Sequence, residues 1–193
     1  MFAGGAPRDV QLEYFKILYG ITDRGSVVSP GTQKDYHNCL FDKKKRVGDG
    51  QRASITHARL LDAEGNTPEM LRFGHRYTVE FEGVCHDRIE KLGFGVAITT
   101  TTGVVVYAVN SLRVPDCQKH FEKGASFTCR FSFTSRLANN YYFISLDIDD
   151  YLNNKPIDYI VDALSIKAET NNIIHFVSLA DLEGEMSLTG KDI

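Results

Sequence analysis

Tryptophan is absent from this chain of 193 residues, and cysteine occurs only four times. No segment approaches the roughly 18–20 uninterrupted apolar residues that carry a helix across a bilayer, so a helical membrane span is excluded. The first ten residues lack the basic stretch and apolar core of a secretory signal. Cys39, Cys85, Cys117 and Cys129 form no C-x-x-C pair, which removes zinc ribbons and thioredoxin-type sites. Four cysteines are also sparse for a disulfide scaffold of this length. The expectation is a reducing compartment with thiols not engaged in disulfides. The G-x-x-x-x-G-K-[ST] loop of a phosphate-binding ATPase is missing, as is the G-x-S-x-G turn of serine hydrolases. His37, His57, His75, His86, His120 and His175 are scattered, and the Cys117–His120 and Cys85–His86 spacings complete no four-ligand zinc set. No cofactor and no metal is expected. A surplus of positive charge is lacking too: the formal net charge is −3, so no electrostatic footprint for nucleic acid exists.

What is present is an ordinary globular balance, with 42% hydrophobic and 24% charged residues. The length supports one sizeable domain with a true core. Residues 1–45 read as an N-terminal segment or linker. Within it, residues 9–20 carry apolar residues at both helical and alternating spacings, so helix and strand both fit. The run Lys43, Lys44, Lys45, Arg46 reads as a solvated stretch rather than a phosphate or lipid contact, because short charge runs are common on surfaces.

From residue 50 the pattern is β. Residues 53–61 lead into a turn at 62–66. Tyr77, Val79 and Phe81 share one face of residues 76–83. Phe94, Val96 and Ile98 share one face of residues 92–100, with Gly93, Gly95 and Ala97 opposite. Thr102-Gly103 turns the chain into residues 104–110. Residues 125–133 align Phe127, Cys129, Phe131 and Phe133, residues 141–148 align Tyr142, Ile144, Leu146 and Ile148, and a last strand covers 158–167. Period-two alternation marks strands with one buried face. Many short strands with Gly and Asn turns predict an antiparallel sandwich or barrel.

The order of motifs resembles a known family. A Gly48-x-Gly50 lead runs into the strand containing Ile55, and a turn follows with Asp62 and Gly65. Then come Leu92-Gly93-Phe94-Gly95-Val96, the Gly103 turn, and Tyr107-Ala108-Val109-Asn110. Gly124 precedes a Phe-rich strand, and Asp162-Ala163-Leu164-Ser165-Ile166 comes late. Across residues 46–167 this set is similar to the C-terminal domain of ATP-binding subunits of O-antigen ABC transporters, the Wzt type. The resemblance implies an all-β, immunoglobulin-like or jelly-roll antiparallel β-sandwich. It implies non-catalytic binding of the terminal end of an undecaprenyl-linked O-polysaccharide, on the cytoplasmic side of the inner membrane. The implied partners are that glycan, the transporter's ATPase and permease, and a second copy of the chain. The implied domain is 46–170. Residues 171–193, with apolar stretches at 173–177 and 186–188, would supply terminal strands exchanged in a dimer.

The residues themselves offer a partial case for sugar binding. Sugar rings present apolar C–H faces to aromatics and hydroxyls to amides and carboxylates. Period two sends Tyr141, Phe143, Ser145, Asp147 and Asp149 to the face opposite the aliphatic set. Ala97, with Gly93 and Gly95, and Asn110, with Ala108, lie on the less bulky faces of neighbouring candidate strands. The candidate carbohydrate-binding residues are therefore Tyr141, Phe143, Ser145, Asp147, Asn110 and Ala97. Tyr141 and Phe143 equally suit packing under the N-terminal segment or against a second subunit. A catalytic pair from Asp147 and Asp149 fits either glycosidase geometry poorly, and the spacing of about 7 Å between two residues on one strand face proves nothing by itself. Asp147, Asp149 and Asp150 read as a solvated entry to a loop at 151–156, with calcium ligation the minor option. The alternative function is a protein-binding β-sandwich adaptor without glycan affinity, which edge strands and the tail would also suit.

Overall fold

A computed structural model of the chain describes residues 46–48, 50–113, 119–170 and 179–180. Among these, ten strands form two sheets, all pairings antiparallel but one. The strands are β1 (Arg46–Val47), β2 (Ala53–Leu61), β3 (Leu71–Arg72), β4 (Arg76–Cys85), β5 (Ile89–Thr100), β6 (Val105–Asn110), β7 (Lys119–Phe121), β8 (Ser126–Thr134), β9 (Asn140–Asp150) and β10 (Lys155–Glu169). The larger sheet has seven strands along the path β1-β10-β9-β5-β6, with β3 added to β10 and β7 to β5. The smaller sheet runs β2-β4-β8. This is the expected all-β sandwich.

Alternation builds the core. Tyr142, Ile144, Leu146 and Ile148 of β9 are fully buried, and so are Val79 and Phe81 of β4. Phe94, Val96 and Ile98 of β5 join the same cluster. Burying each such side chain contributes roughly 1.5–3 kcal/mol. The Tyr142 hydroxyl keeps its hydrogen bond inside, donating to the Ala138 carbonyl at 3.1 Å.

Buried charge ties the sheets together on one side. Asp158 on β10 is 0% exposed and pairs with Arg46 Nε at 2.9 Å. Its other oxygen accepts the Ile55 N–H of β2 at 2.8 Å, and Arg46 donates to the Ile55 carbonyl at 2.6 Å. The expected solvated role of Arg46 is therefore overturned: it belongs to β1 and neutralises a buried carboxylate. The Gly-x-Gly lead has a local cause. Gly48 (φ 110°) passes so close to the Ile157 carbonyl that a Cβ would collide with it, and the Gly50 N–H donates to that same carbonyl at 3.1 Å.

The expected loop at 151–156 is shorter than read. A turn covers 151–154, with Asn154 at φ 50°, and Lys155 and Pro156 already belong to β10. Residues 9–20, Lys43–Lys45, Cys39, Cys117, His37, His175 and the tail stretches at 173–177 and 186–188 lie outside the described residues. Of the tail, Ala180 bridges antiparallel to Leu137. Neither Cys85 nor Cys129 is in a disulfide.

Candidate functional site on the outer face of the larger sheet

The register of β9, β5 and β6 assembles most of the predicted residues. Asp147 lies opposite Gly95, and Gly95 lies opposite Asn110. On the other flank Asp147 faces Tyr159 of β10. One row across four strands therefore reads Asn110, Gly95, Asp147, Tyr159. The next row pairs Ala97 with both Ser145 and Ala108. Phe143 faces Thr99 and Ser165, and Tyr141 faces Lys167. Alternation thus places all six predicted residues on the face away from the core, as the sequence pattern requires.

Exposure divides them. Asn110 is exposed, and Tyr141, Ala97 and Asp147 are half-buried. Phe143 is 8% and Ser145 2% exposed, so neither presents its side chain to an incoming molecule. Ser145 has a structural task. The β9–β10 register shifts between Ile160 and Leu164, where Asp162 adopts φ 53°. The Ser145 hydroxyl accepts the Asp162 N–H at 3.0 Å and so satisfies the bulge.

The strand glycines do not leave an open floor. The Asp147 carboxyl occupies the space a Cβ at Gly95 would take, and the Tyr151 ring does the same over Gly93. These glycines are sites of close approach. Tyr151, absent from the sequence-based candidates, is thereby laid across the face beside Asp149. Only the spacing Asp147, Asp149, Tyr151 hinted at it.

The carboxylates also differ from expectation. Asp147 and Asp149 hydrogen-bond each other instead of standing about two residue rises apart. Burial, with the Asp149 charge alongside, pushes Asp147 up to about 8, and burial raises Asp149 as well. The pair holds a shared proton near neutral pH, since two adjacent carboxyls resist joint ionisation. Asp150 points to the opposite face and is 1% exposed. Burial alone would raise it, but Arg52 and Asn153 outweigh burial and hold it below the usual carboxylate range. Its oxygens accept from Arg52, from Asn153 Nδ2 at 2.8 Å and from the Leu152 N–H at 3.1 Å. The reading of this trio as a solvated loop entry is corrected: Asp150 fixes the β9–β10 turn, and it is unavailable to a calcium ion shared with Asp147. Among the described residues no cluster of three or more metal-ligating side chains occurs.

The outer face is therefore a shallow, mixed surface. It offers an amide at Asn110, a carboxyl pair with oxygens able to accept, and aromatic rings at Tyr141, Tyr151 and Tyr159.

Comparison with known proteins places this architecture. A search of curated proteins finds no match. Among solved structures, the crystal structure of the C-terminal domain of wzt matches with TM-score 0.66 and 19% identity, covering 75% of this chain and 87% of that one. A Niemann-Pick type C2 protein from Japanese carpenter ant matches at TM-score 0.44 and 8% identity, over 60% of this chain and 92% of that one. The family model described as the Wzt C-terminal domain matches residues 43–182. The chain belongs to the Wzt C-terminal domain family.

Proposed function

We propose that this chain recognises the polysaccharide of an O-antigen ABC transporter and performs no reaction on it. Membership of the Wzt C-terminal domain family fits the O-antigen transporter context. The observation that carries the reading is the row Asn110, Gly95, Asp147, Tyr159 on one sheet face, flanked by Tyr141 and Tyr151. Amide, carboxyl and phenol groups at strand spacing match a rim of sugar hydroxyls, and tyrosine faces supply stacking where tryptophan is missing. The carboxyl pair keeps its proton between its two members and accepts from sugar hydroxyls through its remaining oxygen lone pairs.

Hydrolysis is disfavoured by the same geometry. Two carboxyls hydrogen-bonded to each other do not flank a glycosidic bond, which needs them about 5 Å apart or more. The proposed setting is the cytoplasmic side of the inner membrane, beside the transporter's ATPase and permease, with the chain as a homodimer. Among the described residues no helix is long and apolar enough to cross a membrane.

Variants test the surface. Asn110→Ala and Tyr141→Ala are expected to weaken glycan binding about tenfold each, the scale of one lost hydrogen bond or stacking contact, with unchanged circular dichroism. Full-strength binding by both variants would move the site off this face. A folded chain that binds no glycan at all would favour the adaptor reading.

A further inference from the structure

The smaller sheet ends on β8, which pairs with β4 from Ser126 to Thr134 without a register shift. The bonds at its two ends fix where its backbone groups point. The Ala125 carbonyl accepts the Cys85 N–H at 2.9 Å, and the Ser135 N–H donates to the His75 carbonyl at 2.9 Å. Odd-numbered residues of β8 therefore turn their N–H and C=O groups to β4. Ser126, Thr128, Arg130, Ser132 and Thr134 turn theirs to the outer edge. Among the described residues no strand pairs with that edge.

A cleft of about 440 Å³ runs beside it. Residues 126–131 line one wall in unbroken succession, so the wall includes the strand's backbone and not one face alone. On the core face Cys129, Phe131 and Phe133 are only partly buried. Tyr107 of β6 stacks on Phe131 at 5.8 Å across the gap. A hydrocarbon chain would cover the rings and leave the edge's backbone groups without partners. An extended peptide answers both, with apolar side chains on the core face and its own backbone on the edge.

The chain itself supplies such a peptide. Just past β8, Ala180 bridges Leu137 in the antiparallel sense, and the Ala138 N–H donates to the Leu179 carbonyl at 3.1 Å. Ala138 has the parity of the edge-facing residues of β8. Continued at the same offset, this register carries residues 181–191 past residues 136–126. Met186 then falls opposite Phe131, and Leu188 opposite Cys129, on the core face. Ser187 falls opposite Arg130, and Thr189 opposite Thr128, on the outer face. Glu185 falls diagonal to Arg130. Arg130 and Arg59 share the single Glu80 carboxylate, so a positive charge remains there for Glu185. A slip of one residue would turn Met186 and Leu188 outward.

We propose that residues 182–190 add to the β8 edge of their own chain as an antiparallel strand, with Met186 and Leu188 in the cleft. The pairing is within one chain because the bridge that sets its register is. It stands apart from the glycan surface, which lies on the other side of the larger sheet.

The test is Leu188→Cys in the full chain under mild oxidation, with the bonded peptides mapped by mass. Opposed residues of a non-hydrogen-bonded pair stand about 4.5 Å apart at Cα, inside the disulfide range of about 4.4–6.8 Å. A bond from Cys129 to the new thiol within a monomer is expected. Thr189→Cys, on the other face, is expected to leave Cys129 unbonded. The proposal is overturned if both variants bond to Cys129, if neither does, or if the bond joins two chains, which would give the edge to a second copy. Hydrogen exchange of the unaltered chain decides without relying on any variant's folding. The Arg130, Ser132 and Thr134 amides are expected to exchange as slowly as those of β4, at every protein concentration. Leu188→Glu is expected to speed them about tenfold while β4 stays slow. Fast exchange of those amides in the unaltered chain, protection lost on dilution, or protection that Leu188→Glu leaves intact would equally overturn it.

Discussion

Asp147 and Asp150 are close neighbours on β9, yet they titrate in opposite directions. Asp147 is raised to about 8 by burial and by Asp149, while Arg52 and Asn153 hold Asp150 down. An unfolded aspartate titrates near 3.9. Between about pH 4 and pH 8 the folded chain thus keeps a proton on Asp147 that the unfolded chain has lost. Stability from this residue declines as pH rises through that window. Asp147→Asn is therefore expected to raise the melting temperature at pH 8.5 by about 2–4 °C and to change little at pH 4, as thermal scans at both values would show. An equal effect at the two pH values would remove the shared proton from the account. Asp150 and Glu80, both lowered, act on the acid side: their stabilisation is present above about pH 4 and is lost below it. A second contrast concerns the two aromatics of β9. Phe143 is 8% exposed, so Phe143→Ala is expected to cost about 3 kcal/mol in denaturant unfolding. Tyr141 is half-buried, and Tyr141→Ala is expected to spare the fold. Loss of folding in both variants would make the pair packing residues.

At the scale of elements, the strands with sustained alternation were legible in the sequence, because β4, β5, β8 and β9 each place a run of large apolar residues on the core face. The short strands β1, β3 and β7 have too few residues to show a period. Pairing order was not legible either, since nothing in β5 announces that its neighbours are β6 and β9. Nor was the bulge that consumes the Ser145 hydroxyl, because it depends on an offset between partners. The buried ion pairs were hidden for a related reason: Arg46 and Asp158 are far apart in the chain, and each looks like a surface residue alone. Asp158→Ala is expected to destabilise by roughly 3 kcal/mol, since it strands Arg46 and the Ile55 N–H. Equilibrium unfolding checks this, and a loss under about 1 kcal/mol would mean the pair is solvated. Gly83 tests packing between strands. A Cβ there would meet the Phe127 ring and the backbone oxygen of Ser54. Gly83→Ala is expected to cost about 1–3 kcal/mol, and an unchanged melting curve would show that β4 can shift away from β2.

For the molecule as a whole, one side of the sandwich is sealed by charge and the other is open. Asp158, Arg46 and β2 seal the β2–β10 side, while Val104, at the entry to β6, and Val105 and Tyr107 on it are about half exposed. The candidate glycan face was partly readable from period two, which put Tyr141, Asp147 and Asn110 on outward faces. It was blurred where a side chain folds across a glycine, as Tyr151 does over Gly93, because sequence does not show that reach. The central claim is recognition of a specific polysaccharide by this outer face. It is tested most directly by titrating the purified chain with O-polysaccharide from its own source and from unrelated strains. Saturable binding to the native glycan alone, weakened about tenfold in Asn110→Ala, is the result this account expects. Equal binding to all glycans, or none from a folded chain, would contradict it.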